Sequence, residues 1–239
     1  MQKSLSLSVL TLLFLTSAFA QNSHIGGMVN GQFERGGGND SIFGIEGQGV
    51  YNFRVYGQDF AIAENFQATR DTKGYLNRAG WAFRSHSRLR YFIPKANGVY
   101  VQAGAYFGHV SYPDQNDVVH DGYTKRVLQP IVGAGYRWHE KTEAVTVGGS
   151  YLYQFRSPLY ATTTDRPQAY IDGVTRGQRI GVETSVRIGQ SKWRGLINFS
   201  HGWSTYQRDA RYYGDEAAKA KHHFGVTEIS LGAAYSFGK

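Results

Sequence analysis

Arg84, His86, Arg88 and Arg90 recur at every second position and alternate with Phe83, Ser85, Ser87, Leu89 and Tyr91. On an extended strand this period turns three guanidiniums and one imidazole to a single side. Such a row can bind or pass anions, or it can fill a closed interior as Arg–carboxylate pairs that use the fixed donors of each guanidinium. Glu46, Arg54, Arg137, Arg156, Glu183, Arg187 and Glu228 stand at comparable polar positions elsewhere, as do Glu34, Arg179 and Arg194, and cations outnumber acids among them. Nucleophilic chemistry is poorly served. Ser85 to Ser87 and Ser200-His201 supply hydroxyls and imidazoles, but neighbours on a strand face opposite ways, so Ser200 and His201 cannot act together as nucleophile and base. Asp114, Asp117, His120 and Asp121 share one segment without the order of a calcium-binding loop, and they read as a solvated turn. No metal, cofactor or enzymatic activity is expected, a lipid-modifying esterase being the lesser alternative. The positive balance is spread over the chain and gives no footprint for nucleic acid.

The whole chain bounds the elements that must position these residues. Its 239 residues carry 26 Lys and Arg against 18 Asp and Glu, 30 Gly and no Cys, with 41% hydrophobic and 15% aromatic residues. A mean hydropathy of −0.42 excludes a bundle of membrane helices, each of which needs about 20 consecutive apolar residues. The lack of cysteine excludes a disulfide scaffold, and the apolar and aromatic content excludes a disordered chain. Met1 to Lys3, the apolar Leu5 to Phe14 and Ala18-Phe19-Ala20 follow the order of a secretory signal peptide, with cleavage expected before Gln21. Residues 1–20 are therefore read as a leader and 21–239 as one exported domain.

Two-residue alternation runs through that domain. Ile180, Val182, Thr184, Val186 and Ile188 share one parity while Arg179, Glu183, Ser185 and Arg187 share the other. Ten such segments are expected, near 24–35, 42–55, 59–70, 78–92, 98–111, 123–138, 143–156, 177–189, 193–207 and 223–237, with eight as the alternative count. Their links alternate in length. Tyr56 to Gln58, Pro94 to Asn97, Glu140 to Thr142 and Gly189 to Lys192 are tight, whereas 36–41, 71–77, 113–122, 157–176 and 208–222 are mostly longer. An even strand number with short turns at one end and long loops at the other is the pattern of a transmembrane barrel, whose short turns face the periplasm. Aromatic residues gather at both ends of the segments: Tyr51, Phe53, Tyr91, Tyr136, Trp138, Trp193, Tyr235 and Phe237 near the short links, and Phe43, Phe66, Trp81, Phe107, Tyr153, Phe155, Trp203 and Phe224 near the long ones. Aromatic girdles at the two bilayer interfaces take this form.

At the C-terminus, Ser230-Leu231-Gly232-Ala233-Ala234-Tyr235-Ser236-Phe237 resembles the polar-x-Gly-x-x-aromatic-x-aromatic signal of bacterial outer-membrane proteins, with Ser230, Gly232, Tyr235 and Phe237 at its defining positions. Gly238 and Lys239 follow where members of that family commonly end. With the leader and the loop pattern, the chain resembles a small porin-family or outer-membrane β-barrel protein. The resemblance implies an all-β, closed antiparallel up-and-down barrel in the outer membrane of a Gram-negative bacterium. Its implied partners are membrane lipid, lipopolysaccharide and the barrel-assembly machinery. The charged parity must then face inward, because Arg on lipid at mid-bilayer costs about 2–4 kcal/mol. A lumen filled by Arg–carboxylate contacts is expected, with a narrow anion-preferring pore as the alternative. Glu64, on the greasy parity of Phe60, Ile62 and Phe66, and Pro130, which lacks a ladder donor, each suggest a local bulge. The basic 208–223 segment is expected to contact outer-leaflet phosphates, with a short helical turn over Asp215 to Lys221.

Overall fold

A computed structural model describes residues 23–35, 41–71, 80–112, 123–139, 144–163 and 168–237. The leader, the Asp114 to Asp121 segment and the connections at 36–40 and 72–79 lie outside these residues. Ten strands follow in chain order: β1 (Ser23–Arg35), β2 (Ser41–Val55), β3 (Gln58–Asp71), β4 (Gly80–Phe92), β5 (Val99–Tyr112), β6 (Tyr123–His139), β7 (Val145–Thr163), β8 (Tyr170–Arg187), β9 (Trp193–Arg208) and β10 (Lys221–Phe237). One helix, α1 (Ala210–Lys219), joins the last two.

Every strand pairs antiparallel with its sequence neighbours, and β1 meets β10 from Ser23↔Phe237 to Arg35↔Gly225, closing the sheet. Closure leaves no unpaired edge, which a bilayer requires of any spanning sheet. The tight ends follow from local chemistry. Val55 pairs directly with Gln58, so Tyr56 and Gly57 form a two-residue turn with φ of 50° and 78°. Positive φ at both positions suits the right-handed twist of the flanking strands, and glycine takes it without steric cost.

The strands twist one face inward and leave the other outside. On β1 and β2 the outward Ile25, Val29, Phe33, Phe43 and Ile45 are exposed, while Met28, Asn30, Gln32, Glu46 and Gln48 are buried. The aromatics form two outer rows. Tyr51, Phe53, Phe60 and Tyr91 stack in series across β2 to β4 near the short turns, with centroids 6.0, 5.7 and 5.2 Å apart, and Phe66, Phe83 and His109 line the opposite end.

Three departures from regular alternation stand in the β6 to β8 region. The β6–β7 register shifts between Val127 and Ile131, around Pro130, and the buried Gln129 amide donates to the Phe155 and Thr175 carbonyls at 3.1 and 3.2 Å. The β7–β8 register shifts between Gln154 and Ser157, where two residues of β7 oppose one of β8, and again beside Asp172. The extra residues on β7 and β8 reverse the sequence parity beyond them, whereas β6 keeps Val127, Gln129 and Ile131 buried on one parity. The segment 157–176 was expected as a loop, but β7 and β8 continue through much of it. The anticipated shift near Glu64 does not occur: β3 keeps register with both neighbours, and Glu64 faces outward, accepting a hydrogen bond from Ser87 at 2.7 Å.

Candidate functional site

The inward parity converges on the barrel axis in two adjoining layers. In the first, Glu228 on β10 accepts from Arg84 on β4 at 3.2 Å, from Ser200 on β9 at 3.2 Å, from Gln67 on β3 at 3.5 Å and from Arg179 on β8. Glu46 on β2 accepts from Asn65 at 2.8 Å, Gln67 at 3.3 Å and Ser230 at 2.7 Å. Gln32 on β1 joins by accepting from Arg84 at 2.9 Å. Both carboxylates are therefore enclosed and multiply hydrogen-bonded, as burial of charge demands.

The second layer lies toward the short turns. Glu183 on β8 pairs with Arg90 at 3.4 Å and Arg88 at 3.9 Å, both on β4 and four strands away around the ring. These pairs cross the lumen rather than run along its wall. Arg90, 1% exposed, also stacks over Tyr100 at 5.0 Å, and Arg88 reaches Asn65. Asn198 on β9 donates to Gln48 on β2 at 2.9 Å. His86 is buried against the Tyr106 ring at 4.8 Å, and its Nε2 has no protein partner among the described residues.

Of the expected lumen residues, Glu46, Arg84, His86, Arg88, Arg90, Arg137, Glu183 and Glu228 are brought into this interior. Arg54, Arg156 and Arg187 are not. Arg54 has the inward parity but lies at the mouth, about half exposed and paired with Asp59 at 2.7 Å. Arg156 falls in the β7 bulge, so Ser157 takes the buried position in its place. Arg187 ends β8 at the short-turn rim, where the wall no longer encloses it. Arg179 and Arg194 are placed inside, whereas the side chain of Glu34 lies outside the described set.

Uncharged groups were the larger omission from the sequence reading. Asn30, Gln32, Gln48, Gln67, Gln102 and Gln129 are all buried. So is Asp172, which is bonded to Lys125 at 3.0 Å and to the Tyr206 hydroxyl at 2.7 Å near the long-loop end. Alternation alone marks these residues as polar-face positions without saying which face is enclosed.

Beyond the second layer the lumen widens into a cavity of about 480 Å³ at the short-turn end, bordered by His24, Asn52, Arg137, Glu183 and Arg194. Between the two layers lies a void of about 40 Å³.

Greasy outside and charged inside, this ring of strands inverts the pattern of a water-soluble barrel. By fold, the chain is an outer-membrane β-barrel. No protein-family model and no curated protein matches it. Among solved structures it is similar to the β-domain of the Bordetella autotransporter BrkA, with TM-score 0.49 and 9% identity over 91% of this chain and 100% of that one. It is also similar to the translocator domain of the Neisseria meningitidis autotransporter NalP, with TM-score 0.46 and 11% identity over 99% and 96%. A third likeness is to the outer membrane protease OmpT of Escherichia coli, with TM-score 0.44 and 11% identity over 91% and 96%.

The terminal signal residues divide between the faces. Ser230 bridges Asn30 and Glu46 inside the barrel. Gly232 allows close approach of β1, since a Cβ there would strike the Gly27 carbonyl. Tyr235 faces outward, edge-on to Trp193 at 5.6 Å, and Phe237 sits at the closing pair with Ser23. The candidate nucleophiles separate as well: Ser200 is committed to Arg179 and Glu228 inside, while His201 stands against Thr227 and Trp203.

Proposed function

We propose that the chain is a non-enzymatic outer-membrane barrel whose lumen is closed by side chains, with the loops at the long end making its contacts outside the cell. One observation carries this reading: hydrogen-bonded carboxylates and guanidiniums span the lumen from β4 to β8 and from β4 to β10 in adjoining layers. A path for hydrated ions would have to break these contacts, and each broken pair strands a buried charge. Dispersal of Ser200 and His201 to different environments supports the absence of hydrolytic chemistry.

The long-loop end favours a contact role because a rigid barrel presents it. Asp209 caps α1 by accepting from the Arg211 amide at 2.9 Å, and Arg211 returns a side-chain bond at 2.6 Å. The helix starts at Ala210, before the short turn read from the sequence, and ends at Lys219, short of Lys221, with a kink at Gly214. With Arg208, Lys219 and Lys221 nearby in sequence, this segment suits phosphate groups of the outer leaflet's glycolipid.

Planar-bilayer recording of the purified, refolded chain tests the closed lumen. The expected result is no resolved single-channel current, and Arg88→Ala together with Glu183→Ala should open one. Steady, anion-selective current through the wild-type chain would replace this reading with a narrow pore.

A further inference from the structure

We infer that the cavity at the short-turn end is a binding site, entered from the periplasmic side, for a small organic anion bearing a carboxylate or phosphate group. The inference deepens the closed-barrel reading and relies on it only for the floor of the site, not for its charge.

Charge is the first support. Arg137 and Arg194 line the cavity wall, with Lys95 and Arg187 exposed at its open rim, against Asp59 and Glu183. Both carboxylates are already engaged by arginines outside that border: Asp59 accepts from Arg54 at 2.7 and 3.1 Å, and Glu183 pairs with Arg88 and Arg90. The bordering cations thus produce a positive field in a walled hollow, where low-dielectric surroundings concentrate it.

Donor geometry is the second. A guanidinium has five N–H donors in a fixed fork. Arg137 uses Nη1 on Asn52 at 2.9 Å and rests its face over Phe92 at 5.0 Å. The ring fixes the plane of the fork, and the remaining N–H groups have no acceptor among the described residues. Arg194 is held from the neighbouring wall, with Nε on Ser185 at 3.1 Å and Nη2 on Thr146 at 3.3 Å. Two guanidiniums anchored by neutral hydrogen-bond partners, rather than by carboxylates at those atoms, suit an oxyanion that arrives from outside.

Shape is the third. A volume of about 480 Å³ lies within the range of small-molecule sites, roughly 300–1,000 Å³. Val50, Phe92 and Leu196 supply apolar wall beside the cations. The fitting ligand therefore has an organic body and one anionic head. A carboxylate and a phosphate monoester share that chemistry.

The test uses the refolded chain in an uncharged maltoside micelle and three probes of similar size: benzoate, phenyl phosphate and neutral benzyl alcohol. Titration calorimetry should detect at least one anion, whose affinity falls as salt rises, and should detect no benzyl alcohol. The tighter of the two anions identifies the head group. Arg137→Gln should weaken binding at least tenfold, and Arg194→Gln provides the second variant should the first fail to fold. Absence of binding by both anions, equal binding of benzyl alcohol, or unchanged affinity in a folded Arg137→Gln or Arg194→Gln chain would overturn the inference. Conductance separates the two readings: anion binding to a conducting barrel removes the closed floor and keeps the site, whereas a silent barrel without binding removes the site and keeps the floor.

Discussion

Replacing Glu228 by Gln removes one negative charge from the most densely bonded point of the lumen and keeps its volume. Glu228 is 4% exposed and accepts from Arg84, Arg179, Ser200 and Gln67. Removal of one partner from a buried ion pair costs about 3–5 kcal/mol because the other charge is left uncompensated. Here two guanidiniums lose their carboxylate, but their side chains are 18% and 24% exposed, and the retained amide oxygen still accepts one bond. The expected loss is therefore near the lower bound, about 3 kcal/mol. Equilibrium unfolding in guanidinium chloride, followed by heat-modifiable migration and tryptophan fluorescence, measures it. Arg84→Gln placed on top of Glu228→Gln should recover part of the loss, since neighbouring charges couple by about 0.5–3 kcal/mol. A Glu228→Gln chain within about 0.5 kcal/mol of wild type, the range of an ordinary surface substitution, would refute a dry, bonded layer and imply that water already solvates these arginines.

Three other outcomes are expected. Tyr235→Asp with Phe237→Asp places charges on the terminal strand and in its girdle, and should abolish insertion, read as loss of the heat-modifiable form from the membrane fraction. Glu64→Leu removes a carboxylate from the lipid-facing surface and should raise the unfolding free energy by about 1 kcal/mol; a comparable fall would show that this acid has a partner in the membrane. Asp209, in the exposed connection before α1, is held down to about 2 from its ordinary 3.8 by the Arg211 side-chain bond and then the Arg211 amide bond. Its folded pKa lies below its unfolded one, so its capping contribution is complete above about pH 4 and is lost as pH falls through 2; carbonyl NMR titration of Asp209, with Arg211→Ala as control, reads the midpoint directly.

Strand number, order and facing were legible because lipid outside and charge inside enforce the two-residue period over most of the chain. Legibility ended where an inserted residue reversed the phase. Arg156 has the sequence parity of an inward residue, but two β7 residues oppose one of β8 at that point, and Ser157 occupies the wall position instead. Pro130 did signal a disturbance, since a proline cannot donate to the ladder, and the register shifts beside it. Glu64 signalled one falsely: its parity was literal, and Ser87 on the adjacent strand answers part of its polarity without any bulge. Nor could alternation reveal the pairs. Arg90 and Glu183 are 93 positions apart and meet at 3.4 Å only because closure sets β4 across from β8.

The same closure explains why one stretch of the lumen is filled while the short-turn end is hollow. Eight strands leave an interior that ordinary side chains fill, and ten leave a wider one, so filling requires long side chains that reach across. The central layers supply them in Glu46, Gln67, Arg84, Arg88, Arg179 and Glu228, around a void of about 40 Å³. Toward the short turns the positions bordering the void include Asn52, Gly98, Thr146, Gly148, Ser185 and Ser236, and about 480 Å³ opens among them. Arg137 and Arg194 are long enough to enter that space, but bonds to Asn52, Ser185 and Thr146 hold them against its wall. The hollow thus follows from small residues at one level of the barrel and from arginines tethered rather than extended. Widening Gly148 or Ser185 to Leu should therefore shrink the cavity and any anion binding with it, while leaving the central ion-paired layers and their resistance to current unchanged.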